Sequence, residues 1–195
     1  MSGPHRELEL KAVVPDPDEF RRRMREAGAE ARFAGRMDDV RYDRGAELTA
    51  RDEVLRVRTY HHRDGSVESV VAWKGPTRRS PEGYKLREEI ELPVAAGEPG
   101  RLLEALGYRP VHVVEREVEI WRLGAATARL ERYPRMDVLV EVEGEPAAIE
   151  RAIVASGIPR SAFTAESLAE FVRRFQERTG VPAELSSGAI AGTRR

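Results

Sequence analysis

A run of charged residues at Glu7, Glu9 and Lys11 has the spacing of one face of a β-strand. Side chains of a strand alternate between its two faces, so Leu8 and Leu10 belong to the opposite, apolar face. Carboxylates on one face can bind a hard divalent cation, and a lysine beside them can bind an anion. Taken alone, the run favours a half-buried strand whose charged face is in water.

The same alternation of charged and apolar residues returns in later segments of the chain. Solvated strand faces usually carry Thr, Ser, Gln and single charges, whereas these faces carry rows of Arg, Lys and Glu. Like charges two residues apart repel each other unless opposite charges or ions lie nearby. The residues in these rows are Arg56, Arg58, Lys74, Lys85, Arg87, Glu89, Glu91, Arg129, Glu131, Glu141 and Glu143.

Hydrophobic periodicity and turn signals predict the elements that position these rows. The pattern indicates about eight strands, mostly in hairpins, and four helices, with a tight turn at Arg63-Asp64-Gly65. Eight strands are enough to close a barrel. We therefore expect an α+β fold that is mainly β: an eight-stranded antiparallel β-tunnel or barrel with a charged lumen and helices packed outside.

A lumen lined by these rows would hold one basic and one acidic set of side chains. Arginine and lysine suit phosphoryl oxygens, and a carboxylate cluster suits Mg²⁺ or Mn²⁺, so together they predict a metal–polyphosphate site. The alternative is a purely structural network of ion pairs. The basic set is Lys11, Arg56, Arg58, Lys74, Arg87 and Arg129, and the acidic set is Glu7, Glu9, Glu89, Glu91, Glu131, Glu141 and Glu143.

Composition excludes several classes of function. The 33 Lys and Arg residues nearly cancel the 34 Asp and Glu residues, whereas a protein that binds duplex DNA usually has a basic excess. The absence of cysteine excludes disulfides, thiolate zinc sites and cysteine nucleophiles. With no apolar run of transmembrane length and no signal-peptide pattern at the start, we expect a cytoplasmic protein without nucleic-acid or membrane partners.

The length of 195 residues predicts a single domain over residues 1–180. The small-residue segment 181–195 is expected to be a disordered tail. The sequence leaves open whether the protein forms a homodimer.

The motifs, taken in order, resemble the CYTH family, also called the triphosphate tunnel metalloenzymes. This family includes class IV adenylyl cyclases, thiamine triphosphatases and inorganic triphosphatases. Judged from this one sequence, the resemblance spans about residues 5–178. It implies an eight-stranded tunnel that holds a triphosphate and a divalent metal. The motifs that carry it are Glu7-x-Glu9-x-Lys11, LRVR (55–58), WKGP (73–76), REEIE (87–91), LER (130–132) and VEVEG (140–144).

The resemblance also implies a role for each matched residue, with Mg²⁺ or Mn²⁺ as the metal. A carboxylate such as Glu89 or Glu131 would orient the attacking water, and Lys11 would assist catalysis. The expected metal ligands are Glu7, Glu9, Glu141 and Glu143, and the expected phosphate-binding residues are Lys11, Arg56, Arg58, Lys74, Arg87, Arg116 and Arg129.

One position departs from the family pattern. The family often has two basic residues two apart before an aromatic residue; Arg116 fits the first, but Val118 occupies the second, and Arg129 is the candidate to compensate. Three functions remain open: hydrolysis of a triphosphate, cyclic AMP formation from ATP, and binding of polyphosphate without catalysis. The amphipathic segment 164–180 resembles the helix that closes the family's tunnel, and its alternative is plain packing of Phe171 and Phe175 outside the barrel.

Overall fold

The computed structural model describes residues 5–94 and 98–187. None of the helices in these ranges is both long and apolar enough to cross a membrane. The strands are β1 His5–Val13, β2 Glu30–Asp43, β3 Val54–His62, β4 Val67–Lys74, β5 Arg78–Arg79, β6 Lys85–Val94, β7 Arg109–Leu123, β8 Ala126–Arg132 and β9 Leu139–Glu143. The helices are α1 Pro17–Glu26, α2 Glu47–Ala50, α3 Pro99–Ala105, α4 Pro146–Ser156 and α5 Leu168–Thr179, with a 3₁₀ turn at Arg160–Ala162.

Eight antiparallel strands close into a barrel, as the sequence predicts. The order around the ring is β1-β9-β8-β7-β2-β3-β4-β6, and the pairing of β6 with β1 closes it. The two-residue strand β5 pairs with β6 outside the ring and was not predicted, nor was the short helix α2. The predicted mainly-β fold with helices outside is confirmed.

The apolar faces of the strands point outward at β1, β8 and β9, where two helices cover them. Leu10, Leu130 and Val142 pack there against Phe20 of α1 and Ile149 of α4. Burial of these side chains is the main source of stability, at about 1.5–3 kcal/mol for each large apolar side chain. Because side chains alternate along a strand, burying the apolar face outside turns the charged face into the lumen.

Helix α5 lies across one end of the barrel. Phe171 is 4% exposed and packs with Val114, Tyr133 and Leu139 from the barrel strands and the β8–β9 connection. The chain before α5 is fixed to β1, because the backbone groups of Lys11 and Thr164 exchange hydrogen bonds of 2.8 Å in both directions. The helix therefore covers the β7 and β9 side of this end of the tunnel rather than packing beside the barrel.

The segment after α5 returns along the barrel. Arg135 and Glu184 form an isolated β-bridge, and Ser187 donates a hydrogen bond to Glu115 (2.6 Å) on β7. The tail predicted to be disordered thus begins with contacts at 184–187, and residues 188–195 of that prediction lie outside the described residues.

Candidate active site in a charged tunnel

The lumen brings the predicted charged rows together. In the ring of eight strands, β2 lies four positions from β1 in either direction, so these two strands face each other across the lumen. Strand β1 and its neighbour β9 carry the predicted metal ligands, and β2 and β3 carry aspartate and arginine. The predicted residues that the lumen buries are Glu7, Glu9, Lys11, Arg56, Arg58, Lys74, Arg87, Arg116, Arg129, Glu131 and Glu141.

Three buried carboxylates form a compact cluster on the β1–β9 wall. One oxygen from each of Glu7, Glu9 and Glu141 lies within 4.8 Å of the other two. Oxygen donors of this charge suit Mg²⁺ or Mn²⁺, so the donor set fits the predicted metal. Glu143, the fourth predicted ligand, pairs with Glu9 in the strand register but lies outside this cluster of three.

Lysine side chains separate the carboxylates of this cluster. The Lys11 ammonium contacts Glu141 and donates to Glu9 (2.8 Å), Lys85 donates to Glu9 (2.5 Å), and Lys74 contacts Glu7. Burial works against the charged form of Lys11, but Glu141 and Glu9 outweigh it and hold its pKa above the usual value. Lys11 is therefore a permanent cation in the tunnel.

Asp39 on β2 is the central anion of the opposite wall. Arg58 binds it through two hydrogen bonds of 2.8 and 3.0 Å, Arg116 donates at 2.9 Å, and Arg56 donates at 3.5 Å. Burial alone would raise the pKa of Asp39, but these arginines hold it well below its usual range. This single carboxylate fixes three guanidinium groups in the lumen.

The remaining predicted cations are held in different ways. Arg129 donates to Glu141 (2.5 Å) and lies 3.5 Å from Glu143. Arg87 instead donates to backbone carbonyl oxygens, those of Gly75 (2.6 Å) and Asp52 (2.5 Å). Carbonyl groups carry no net charge, and the Asp52 carboxylate lies 3.9 Å from Arg87, so most of the positive charge of Arg87 is left for a ligand.

A cavity of about 230 Å³ occupies the end of the tunnel under α5. Its wall has nine basic and five acidic side chains, an excess of positive charge that favours a polyanion. Among the residues that the structure describes, three of the buried arginines also keep an N–H without a hydrogen-bond partner: Arg56 Nε, Arg116 Nη1 and Arg129 Nε. The basic residues are Lys11, Arg41, Arg56, Arg58, Lys74, Lys85, Arg87, Arg116 and Arg129, and the acidic ones are Glu9, Asp39, Asp52, Glu131 and Glu141.

The other end of the tunnel is acidic. A second cavity there is lined by five glutamates and one arginine. Burial, together with the Glu7 carboxylate, raises the pKa of Glu89 to about 8 although Lys74 opposes the shift. Burial likewise raises the pKa of Glu143 to about 7 against the effect of Arg129. The tunnel therefore runs from a basic end, past the three-carboxylate cluster, to an acidic end.

Val118 lies on the inner face of β7, in register with Glu131, and is buried. No cation replaces it on its own strand, but Arg129 of the adjoining strand lies in the basic cavity. The position of the Arg129 side chain is therefore compatible with the expected compensation for the missing cation at Val118.

Sequence reasoning missed Asp39, Arg41, Lys85 and Tyr133 as residues of the site. Lys85 stood in the charged row of β6 but was given no role. Asp39 and Arg41 have the same two-residue spacing as the other lumen residues, and that spacing was the available signal. Tyr133 lies in the predicted strand segment 127–134, directly follows β8 in the structure, and donates to Glu131 (2.6 Å).

The fold was compared with known proteins. No protein-family model matches the chain, and no curated protein matches it. Among solved structures, the PH1819 protein of Pyrococcus horikoshii is 24% identical, with a TM-score of 0.69 over 86% of this chain and 98% of that one. A "putative adenylate cyclase" of Vibrio parahaemolyticus is 17% identical, with a TM-score of 0.70 over 88% and 99%.

A third solved structure is the Hippeastrum protein HpAC1, described as a "putative adenylyl cyclase" with a dominant triphosphatase activity. It is 15% identical, with a TM-score of 0.53 over 95% of this chain and 92% of that one. This chain has their fold. The resemblance to the CYTH fold that the motifs indicate is thereby confirmed, and the activity of this chain has to be argued from its own site.

Proposed function

We propose that this protein is a divalent-metal-dependent phosphohydrolase that cleaves a triphosphate-containing substrate in the tunnel. The observation that carries the proposal is the position of the basic cavity directly against the cluster of Glu7, Glu9 and Glu141. A polyphosphate needs many cations and a metal, and this lumen offers both kinds of group side by side. The proposed catalytic unit is the predicted domain, residues 1–180.

The carboxylates Glu7, Glu9 and Glu141 would hold Mg²⁺ or Mn²⁺. When bound, such an ion supplies positive charge that neutralises phosphoryl oxygens. The rest of the electrostatic stabilisation comes from the chain itself, because the cationic side chains are held in place before the substrate arrives. Glu143 is proposed as a supporting ligand at the acidic side of the cluster.

Phosphate binding is assigned to the cations of the basic cavity. Arg56, Arg116 and Arg129 line this cavity, and each keeps an N–H for which the described residues supply no acceptor. Arg58 is held by Asp39 in a fixed orientation, and Lys11 contributes a permanent charge beside the carboxylate cluster. The proposed phosphate-binding set is Lys11, Arg56, Arg58, Lys74, Arg87, Arg116 and Arg129.

Of the two predicted water-orienting carboxylates, Glu89 fits the role better. A general base acts best when its pKa is close to the working pH; burial raises the pKa of Glu89 to about 8, and Lys74 (3.1 Å) and Arg56 (3.3 Å) hold its Oε1 in place. Both oxygens of Glu131 already accept hydrogen bonds, from Arg116 (2.9 Å) and Tyr133 (2.6 Å). We assign Glu131 to positioning Arg116 and Glu89 to accepting the proton of the attacking water.

Cyclic AMP formation is the alternative reaction of the same lining. It requires the 3′-hydroxyl of ATP to attack the α-phosphorus, with pyrophosphate leaving. The Hippeastrum relative, whose fold this chain shares, is described as having a dominant triphosphatase activity, which supports placing hydrolysis first. A binding module without turnover is the third outcome.

Product analysis tests the proposal. The protein is incubated with inorganic triphosphate, thiamine triphosphate or ATP, each with Mg²⁺, with Mn²⁺ and with excess chelator. We expect metal-dependent release of orthophosphate, abolished by the chelator. Cyclic AMP with pyrophosphate would instead identify a cyclase, and tight binding without any product would identify a binding module.

A further inference from the structure

Arg41 is a cation of the basic cavity that the preceding assignments do not use. It lines the cavity and, within residues 5–94 and 98–187, its side chain makes no hydrogen bond or ion pair. The two acidic residues nearest to it along its strand are already engaged: Asp39 accepts hydrogen bonds from three other arginines, and Asp43 accepts them from the backbone N–H groups of Arg44, Leu48 and Thr49. Burial and the positive charge of Arg56 lower the pKa of Arg41 more than the Asp39 carboxylate raises it, so Asp39 does not balance the charge of Arg41.

The position of Arg41 defines one end of the site. It lies two residues closer than Asp39 to the end of β2, and it pairs in register with Arg56 on β3 and His112 on β7. The exposed residues Asp52 and Thr77 line the same cavity, which places Arg41 at the basic opening of the tunnel. The carboxylate cluster on β1 and β9 lies across the lumen from it.

The lining of this cavity is poorly suited to an organic group. A nucleobase or a thiazolium ring binds best to an exposed aromatic or apolar surface. Of the apolar lining residues, Val114, Leu168 and Tyr133 pack in the cluster around Phe171 under α5, which leaves the small side chains of Val54 and Ala169. The Tyr133 hydroxyl donates to Glu131 and its ring lies 5.9 Å from the Arg116 guanidinium. The described wall therefore offers charge, and little surface on which a ring could stack.

We propose that Arg41 binds the terminal phosphoryl group at the basic opening and thereby selects free inorganic triphosphate over triphosphate esters. The inference rests on the proposed function. Both ends of inorganic triphosphate are unesterified, so the end opposite the carboxylate cluster presents several anionic oxygens to a guanidinium. In ATP or thiamine triphosphate that end is an ester with fewer charged oxygens, and the organic group would have to occupy the space beside Arg41.

The test compares how one substitution changes kcat/KM for two substrates, inorganic triphosphate and ATP. For Arg41→Gln, kcat/KM for inorganic triphosphate should fall roughly 10- to 100-fold, the effect of one hydrogen bond to a charged group. The value for ATP should change by less than about threefold because its esterified end gains little from Arg41. Arg41→Lys should restore part of the loss. Arg36→Gln is the matched control, since Arg36 lies on the outer face of the same strand and pairs with Asp38.

Three results would overturn the inference: equal losses for both substrates, no loss for inorganic triphosphate, or a wild-type preference for ATP. The melting temperature of Arg41→Gln should match that of the wild type or exceed it, because the substitution breaks no described contact. If the wild type hydrolyses no triphosphate, the proposed function fails separately. Calorimetric binding of inorganic triphosphate and ATP then decides the role of Arg41, with equal affinities in wild type and variant refuting it.

Discussion

Glu9→Gln is expected to abolish metal-dependent turnover while the barrel stays folded. Glu9 is one of three clustered carboxylates, and its replacement removes one of the negative charges that a divalent ion needs. The shape of the side chain is kept, and Lys11 keeps its contact with Glu141. We expect activity to fall by at least about a thousandfold, in line with losing a principal electrostatic contribution to catalysis.

Activity should be measured across a titration of Mg²⁺ and Mn²⁺, with circular dichroism to verify the fold. Glu88→Gln is the matched control, because Glu88 lies on the outer, exposed face of β6. A Glu9→Gln variant with unchanged activity and unchanged metal dependence would remove Glu9 from the metal site.

Asp39→Asn is expected to give the largest loss of stability among single substitutions in the lumen. Asp39 is 4% exposed and holds Arg56, Arg58 and Arg116. Removing one partner from a buried ion pair typically costs about 3–5 kcal/mol, because the remaining charges stay buried without compensation. For a chain of this size that corresponds to a melting temperature lower by roughly 6–20 °C.

Inorganic triphosphate should recover part of this loss, because it supplies anionic oxygens to the same arginines. Thermal unfolding with and without triphosphate measures both effects. Asp38→Asn is the control: Asp38 pairs with Arg36 and His61 on the outer face and should cost at most about 1 kcal/mol. An Asp39→Asn variant as stable as the wild type would show that the lumen cations do not depend on Asp39.

The strand-by-strand charge pattern was sufficient to predict the barrel. Glu7, Glu9 and Lys11 alternate with Leu8 and Leu10, and the structure packs those leucines outside the barrel and turns the charges inward. The alternation of one strand fits both a charged face in water and a charged face inside a lumen. Only the comparison of several strands favoured the lumen. Rows of like charge on many strands are tolerable only where opposite rows face them, and ring closure provides that arrangement.

The central position of Asp39 among three arginines could not be predicted from the charge pattern. Asp38 and Asp39 are adjacent, so alternation requires one of them to point inward without telling which. The register decides, since Asp39 pairs with Arg58 on β3 and with Val114 on β7. The pairing of residues on neighbouring strands depends on turn lengths and on a bulge near the end of β2. Periodicity alone specifies neither the turn lengths nor the bulge.

The role of α5 also depended on tertiary structure. The spacing of Leu168, Phe171 and Phe175 predicts an amphipathic helix with an apolar stripe, but not the surface that the stripe covers. The backbone pairing of Lys11 with Thr164 sets that surface, and it brings Phe171 onto Val114 at the end of the tunnel.

The central claim is that the charged lumen binds a triphosphate, and a thermal shift measures this most directly. A ligand that binds only the folded state at a hundredfold excess over Kd adds about 2.7 kcal/mol of stability. Inorganic triphosphate with Mg²⁺ should therefore raise the melting temperature by about 5–11 °C. Lys11→Ala should reduce the shift, and Glu104→Gln, on the exposed surface of α3, should leave it unchanged. A melting temperature that triphosphate and Mg²⁺ leave unchanged would contradict the account.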